Sequence, residues 1–200
     1  MDSTSARPAS LGTPTHATSD SRLTYEAAAT ATTTAGAIAL QGVILALVRI
    51  AVGFFWYQES FFKLPGHTAY FGNLLHMVAK GAIMPGYAGI IEHVFVPHAA
   101  LFAIFVWLLE LSLGISLMFG LFTRLGGTIG AIWAALLFCG LAYGGRNSLP
   151  WYFGLLVLIN VLLAVTAAGR TLGVDRWLRP RLLTRAARGE RLAAYGARAA

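Results

Sequence analysis

The chain alternates between long apolar blocks and short polar breaks, and the block lengths set the first expectation. Four apolar segments occupy residues 38–62, 98–122, 125–143 and 149–168. Each is close to the roughly 20 residues that carry a helix across a bilayer. Between residues 63 and 97 the apolar positions fall into two stretches interrupted at Met84-Pro85-Gly86. Stretches of that length are too short to cross and predict an interfacial or re-entrant helical lid between spans one and two. Residues 1–36 are rich in Ser, Thr and Ala and contain Pro8 and Pro14, with no apolar run of signal-peptide type behind a basic segment. They are expected to form a disordered or weakly helical polar tail. The pattern as a whole predicts an all-α membrane protein, with a four-transmembrane-helix bundle in residues 37–169 and a basic tail in 170–200.

Composition agrees: 57% of residues are hydrophobic and 12% charged, and the mean hydropathy is +0.67, too apolar for an ordinary soluble domain of this length. Charge orients the bundle. Residues 170–200 hold eight arginines against Asp175 and Glu190, a surplus of six within a net charge of +7. Positive residues beside span ends stay in the cytoplasm, so both termini are expected there, with Thr123 and Arg124 on the same face. Leu182, Leu183, Ala186, Leu192 and Tyr195 interleave with those arginines, which suits a helix lying on an anionic leaflet. Because the charges adjoin a span, lipid is the expected partner and nucleic acid is not. The single cysteine, Cys139, can form no internal disulfide and belongs to no CxxC or CxxCH motif.

Polar residues inside the apolar blocks are the candidates for chemistry. Arg49 stands near the middle of span one, where a charge costs roughly 2.5 to 3.5 kcal/mol on insertion scales, and it therefore needs a partner. Glu110, Trp133 and Asn160 stand near the middles of spans two, three and four, which predicts a polar layer at one depth. At about 100° per residue, Arg49, Gly53, Trp56, Ser60 and Lys63 form one stripe of span one, and Ala103, Trp107, Glu110, Gly114 and Leu117 form one of span two. If the stripes face each other, Arg49 and Glu110 can pair. The layer then reads either as a buried clasp that fixes helix register or as the floor of a pocket walled by Trp56, Trp107 and Trp133.

Glu59 and Lys63 lie farther along span one, and with His98 they suit either a polar mouth beneath the lid or an i, i+4 surface pair. An aromatic interior below a polar mouth fits an amphiphile such as a quinone. Gly126, Gly130 and Ala134, with Ser116 and Gly120, recur at intervals of four and allow close helix approach or oligomerisation. His67, His76, His93 and His98 lie on the lid or its hinge without metal-ligand spacing, so solvated or interfacial histidines are the expectation and no metal site is assigned.

Four segments, LVRIAVGFFWYQESFFKL, the lid ending in VFVPH, LLELSLGISLMFGLFTRLGG and AAGRTLGVDRWL, together resemble the DoxX/DoxD family of small bacterial and archaeal membrane proteins. The long segment between spans one and two is closer to the DoxD branch, which includes the membrane subunit of thiosulfate:quinone oxidoreductase. The family's first-span Arg and Lys fall on Arg49 and Lys63, its second-span Glu on Glu110, its LFTR turn on Thr123 and Arg124, and its closing Asp on Asp175. A small residue often precedes that Lys, whereas here the run is Gln58-Glu59-Ser60.

The resemblance implies a thiosulfate dehydrogenase (quinone) subunit that passes electrons from a small sulfur compound to membrane quinone as acceptor. Lys63 and His98 would attract the anion at the outer mouth, and Glu110 with Arg49 would bind or protonate the quinone head. No haem, flavin or iron-sulfur motif is evident, so the reaction would need a second oxidoreductase subunit, a bound carrier or direct attack of substrate on quinone. A non-catalytic membrane anchor or assembly subunit for a soluble redox enzyme is the alternative, and a small transporter a third, without inverted repeats or broken core helices to favour it.

Overall fold

The computed structural model describes residues 17–63, 68–143, 150–166 and 168–200. Pro8, Pro14 and His67, named above, lie outside the described residues. The elements are α1 (Ala17–Phe61), α2 (Thr68–Lys80), α3 (Tyr87–Ile90, continuing as a wide π-helical turn through Ile91–Phe95), α4 (Ala99–Phe119), α5 (Thr123–Gly140), α6 (Pro150–Thr166), α7 (Asp175–Ala187) and α8 (Arg191–Ala199). By its internal contacts the chain divides into residues 1–41 and 42–200. In the first unit the described residues are helical from Ala17, so helix begins well ahead of the span start expected near residue 37.

Among the described residues, three helices are long and apolar enough to cross a membrane: Gly36–Phe61, Ala99–Phe119 and Thr123–Gly140, with α6 a shorter apolar helix of 17 residues. Large apolar side chains point outward along these helices, among them Phe54, Leu101, Phe105, Ile132, Leu158 and Val165. An apolar exterior of that extent is met by lipid. The chain is a multi-pass integral membrane protein.

Helix approach is set by small residues. A Cβ at Gly53 would meet the Met118 backbone N at 2.5 Å, and one at Gly114 would meet the Tyr57 backbone N at 2.8 Å. These contacts bring α1 and α4 together antiparallel, with almost nothing between their backbones. On α5, a Cβ at Gly127 would meet Ala164 N at 2.7 Å, which seats α5 on α6. Lipid supplies no hydrophobic push between helices, so this close van der Waals approach does the work.

Among the described residues two apolar clusters result. One fills the bundle around Trp56, Leu113, Leu117, Ala134 and Leu163. The other fills the lid around Phe71, Leu75, Val78, Ile91 and Val106. The lid is two helical segments, as the break at Met84-Pro85-Gly86 predicts, with Gly86 supplying the left-handed φ of +80° before α3. Ile83 N donates to Cys139 O at 3.0 Å and Phe95 stacks on Phe102 at 4.1 Å. These contacts fasten the lid to the end of α5 and to α4.

Candidate functional site

Between the bundle cluster and the lid cluster lies a cavity of about 800 Å³, walled chiefly by apolar and aromatic side chains from the lid, α1, α4, α5 and α6. Phe55, Trp56, Phe71, Phe102 and Trp133 are among them, and Glu59, Lys63 and Glu110 supply its charged groups. A volume of that size with few, convergent polar groups is the usual form of a small-molecule site.

The charged groups form a chain. Lys63 Nζ lies 2.9 Å from Glu110 Oε2 and 3.0 Å from Glu59 Oε2, and it also donates to the Glu59 backbone O at 2.9 Å. The contact with Glu110 Oε2 is a close ion pair without the alignment of a hydrogen bond. Trp133 Nε1 donates to Glu110 Oε1 at 3.1 Å. Side-chain exposure rises along the chain, from 1% at Glu110 through 8% at Lys63 to 35% at Glu59. With all three ionised the triad carries one net negative charge, so a single proton makes it neutral. In a low-dielectric wall such a change weighs heavily.

Geometry explains the triad. A helical side chain leans toward the N-terminus of its own helix. Lys63, in the turn just past α1, folds back over the last turn of that helix to reach Glu59 O, and Glu110 on antiparallel α4 leans toward the same end. The two reach each other from different depths.

The expected pairing of Arg49 with Glu110 is not formed. Arg49 is fully buried, but it leans the other way, and Nη2 donates to Leu172 O at 3.0 Å. A Cβ at Gly120 would overlap its guanidinium, so Gly120 is required both for that contact and for its own φ of +66°. Nearby, Asp175 is buried and accepts from Phe122 N at 2.7 Å and Thr123 N at 2.8 Å. It thus satisfies backbone donors at the start of α5. Arg49 and Asp175 hold the α4–α5 turn against the segment before α7. Arg49 does not line the cavity.

The single polar layer resolves into three levels. Arg49 lies at the end of the bundle carrying Asp175. Asn160 comes next, buried, with Oδ1 accepting from Trp56 Nε1 at 3.4 Å and Nδ2 donating to Leu156 O at 2.8 Å. Above them is the Lys63–Glu110–Trp133 group. Of the expected aromatic walls, Trp56 and Trp133 line the cavity and Trp107, half-buried on α4, does not. Asn160 is likewise not a lining residue, and His98 is exposed ahead of α4.

Lys63 Nζ, expected from the sequence at an outer mouth, donates to Glu59 O and Glu59 Oε2 and pairs with Glu110 Oε2. Sequence reasoning missed the cavity contribution of the lid, including Tyr87, whose hydroxyl donates to Leu136 O at 3.2 Å. The apolar spacing of Phe71, Leu75 and Val78 carried that signal.

Comparison with curated proteins and with solved structures returned no match. Residues 43–189 match the model of the family described as "TQO small subunit DoxD". That match runs from the start of the second unit through α7, taking in the cavity, the Lys63–Glu110 pair and the Arg49–Asp175 end, and the chain belongs to the DoxD family.

Proposed function

We propose that the chain is the membrane subunit of a quinone-linked oxidoreductase and that the cavity receives the quinone. The observation that supports this reading is an apolar space of about 800 Å³ whose polar groups converge on one buried carboxylate, Glu110. The isoprenoid tail fits the aromatic walls, and the head group lies against Glu110 and Lys63. Two thiosulfate ions joined through a sulfur–sulfur bond release two electrons, and a quinone takes two electrons and two protons to become quinol. In this reading Glu110 holds a proton at its carboxylate for the head group, Lys63 balances its charge, and part-exposed Glu59 links the pair to the surface. The family description "small subunit" supports a partner subunit, which would handle the sulfur compound and carry the electrons. In this reading α6 serves as the fourth span, and the arginines after it support a cytoplasmic location for that end of the bundle.

The test is purification in detergent, extraction of bound quinone, and measurement of thiosulfate-dependent quinone reduction by wild type and Glu110→Gln. Bound quinone, and a rate lowered at least about tenfold by the substitution, are expected. Absence of both quinone and activity, with a soluble redox enzyme co-purifying, would instead establish a non-catalytic anchor.

A further inference from the structure

Arg124, Arg170 and Arg179 converge on one end of the bundle without a counter-ion of their own. Arg124 follows Thr123, whose backbone N is held by Asp175 Oδ2 at 2.8 Å. Arg170 follows Gly169, where an added Cβ would overlap Asp175 Oδ2 and Thr123 Oγ1. Arg179 stands one turn after Asp175 on the same face of α7. Three arginine positions therefore neighbour a carboxylate already engaged by two backbone N–H groups.

Among the described residues, none of the three has a carboxylate within ion-pair distance. The Nε atoms of Arg124 and Arg179 are buried and have no hydrogen-bond partner. Partial desolvation, and then the neighbouring Arg179 and Arg124, lower the pKa of Arg170 below the ordinary arginine value against the opposing pull of Asp175, so all three groups lie within electrostatic reach of Arg170. Buried, unpartnered guanidinium donors call for an acceptor that can fill several of them at once.

We propose that Arg124, Arg170 and Arg179 form a binding site for one phosphate-type oxyanion. Guanidinium forks match such an anion with paired N–H donors, and three of them offset its charge. Exposed Leu125, Val165, Leu172 and Trp177 belong to the same chain segments, so apolar surface adjoins the charge, as the phosphate and upper acyl chains of an anionic phospholipid require. Free phosphate shares the recognition chemistry.

The experiment follows thermal unfolding of the full chain in a neutral detergent. Phosphatidylglycerol, phosphatidylcholine and sodium phosphate are titrated separately at matched ionic strength, into wild type, Arg124→Gln/Arg179→Gln, Arg170→Gln and the control Arg185→Gln. A saturable rise in Tm with phosphatidylglycerol and not with phosphatidylcholine identifies the lipid as the source. The same rise with sodium phosphate identifies the free ion.

In either case Arg170→Gln should weaken the apparent affinity about tenfold, the double variant should abolish the rise, and Arg185→Gln should leave it unchanged. Since Arg170 is exposed, its variant keeps the test valid if the double variant fails to fold. Equal protection of wild type and Arg170→Gln, or no saturable protection by either anion, overturns the site.

Discussion

Lys63 Nζ lies 2.9 Å from Glu110 Oε2, so the buried carboxylate of α4 is balanced from the far end of α1. The same ammonium also faces Glu59, and this makes the pair asymmetric. Removing Glu110 leaves Lys63 with a partner, whereas removing Lys63 leaves Glu110 buried and uncompensated. Lys63→Met is therefore expected to destabilise by about 3–5 kcal/mol and Glu110→Gln by clearly less. The double variant should cost less than the sum of the singles, a coupling read from unfolding curves in detergent. Additive single effects would contradict the pairing.

Backbone contact between α1 and α4 gives a second prediction. Gly114→Ala would drive a Cβ to within 2.8 Å of Tyr57 N, and neither backbone can yield without parting the helices. A loss of about 1–3 kcal/mol is expected. At Gly72 nothing lies within 4 Å of an added Cβ, and Gly72→Ala inside α2 should be neutral or stabilising by up to about 1 kcal/mol. A Gly114→Ala protein melting with wild type would refute the close approach.

At the other end, Asp175→Ala strips both acceptors from Phe122 N and Thr123 N. A cost of about 1–2 kcal/mol is expected from the lost cap, with faster amide exchange at those two positions. Exchange that is unchanged there would show that Asp175 does not cap α5.

Tyr87 supplies a pH dependence. Burial, and then the neighbouring Cys139, raise the pKa of its hydroxyl above the ordinary tyrosine value. The folded protein then holds this proton more tightly than the unfolded chain does. Its stabilising contribution is full below about pH 10, the unfolded value, and is lost as pH rises through the raised folded value. Tyr87→Phe should cost about 1 kcal/mol at neutral pH through the lost bond to Leu136 O. It should also flatten the fall in stability at high pH; an identical slope in both proteins would exclude Tyr87 as the source.

Much of this protein was determined by the sequence alone, because a bilayer imposes a simple length and polarity rule on every helix. The apolar blocks, the lid broken at Met84-Pro85-Gly86 and the buried stripe of Arg49, Gly53, Trp56, Ser60 and Lys63 all follow from that rule and from helical periodicity. The segments that resemble DoxD likewise pointed to the family that the comparison identified. Periodicity says which face a side chain is on, but not how far one helix slides along its neighbour or which way a long side chain leans. Those were decided by the close approach of Gly53 and Gly114 across antiparallel α1 and α4, which turned Lys63 toward Glu110 and Arg49 away from it. The cavity also belongs to the tertiary structure, since its walls come from five separated segments and exist only once the lid is packed over the bundle.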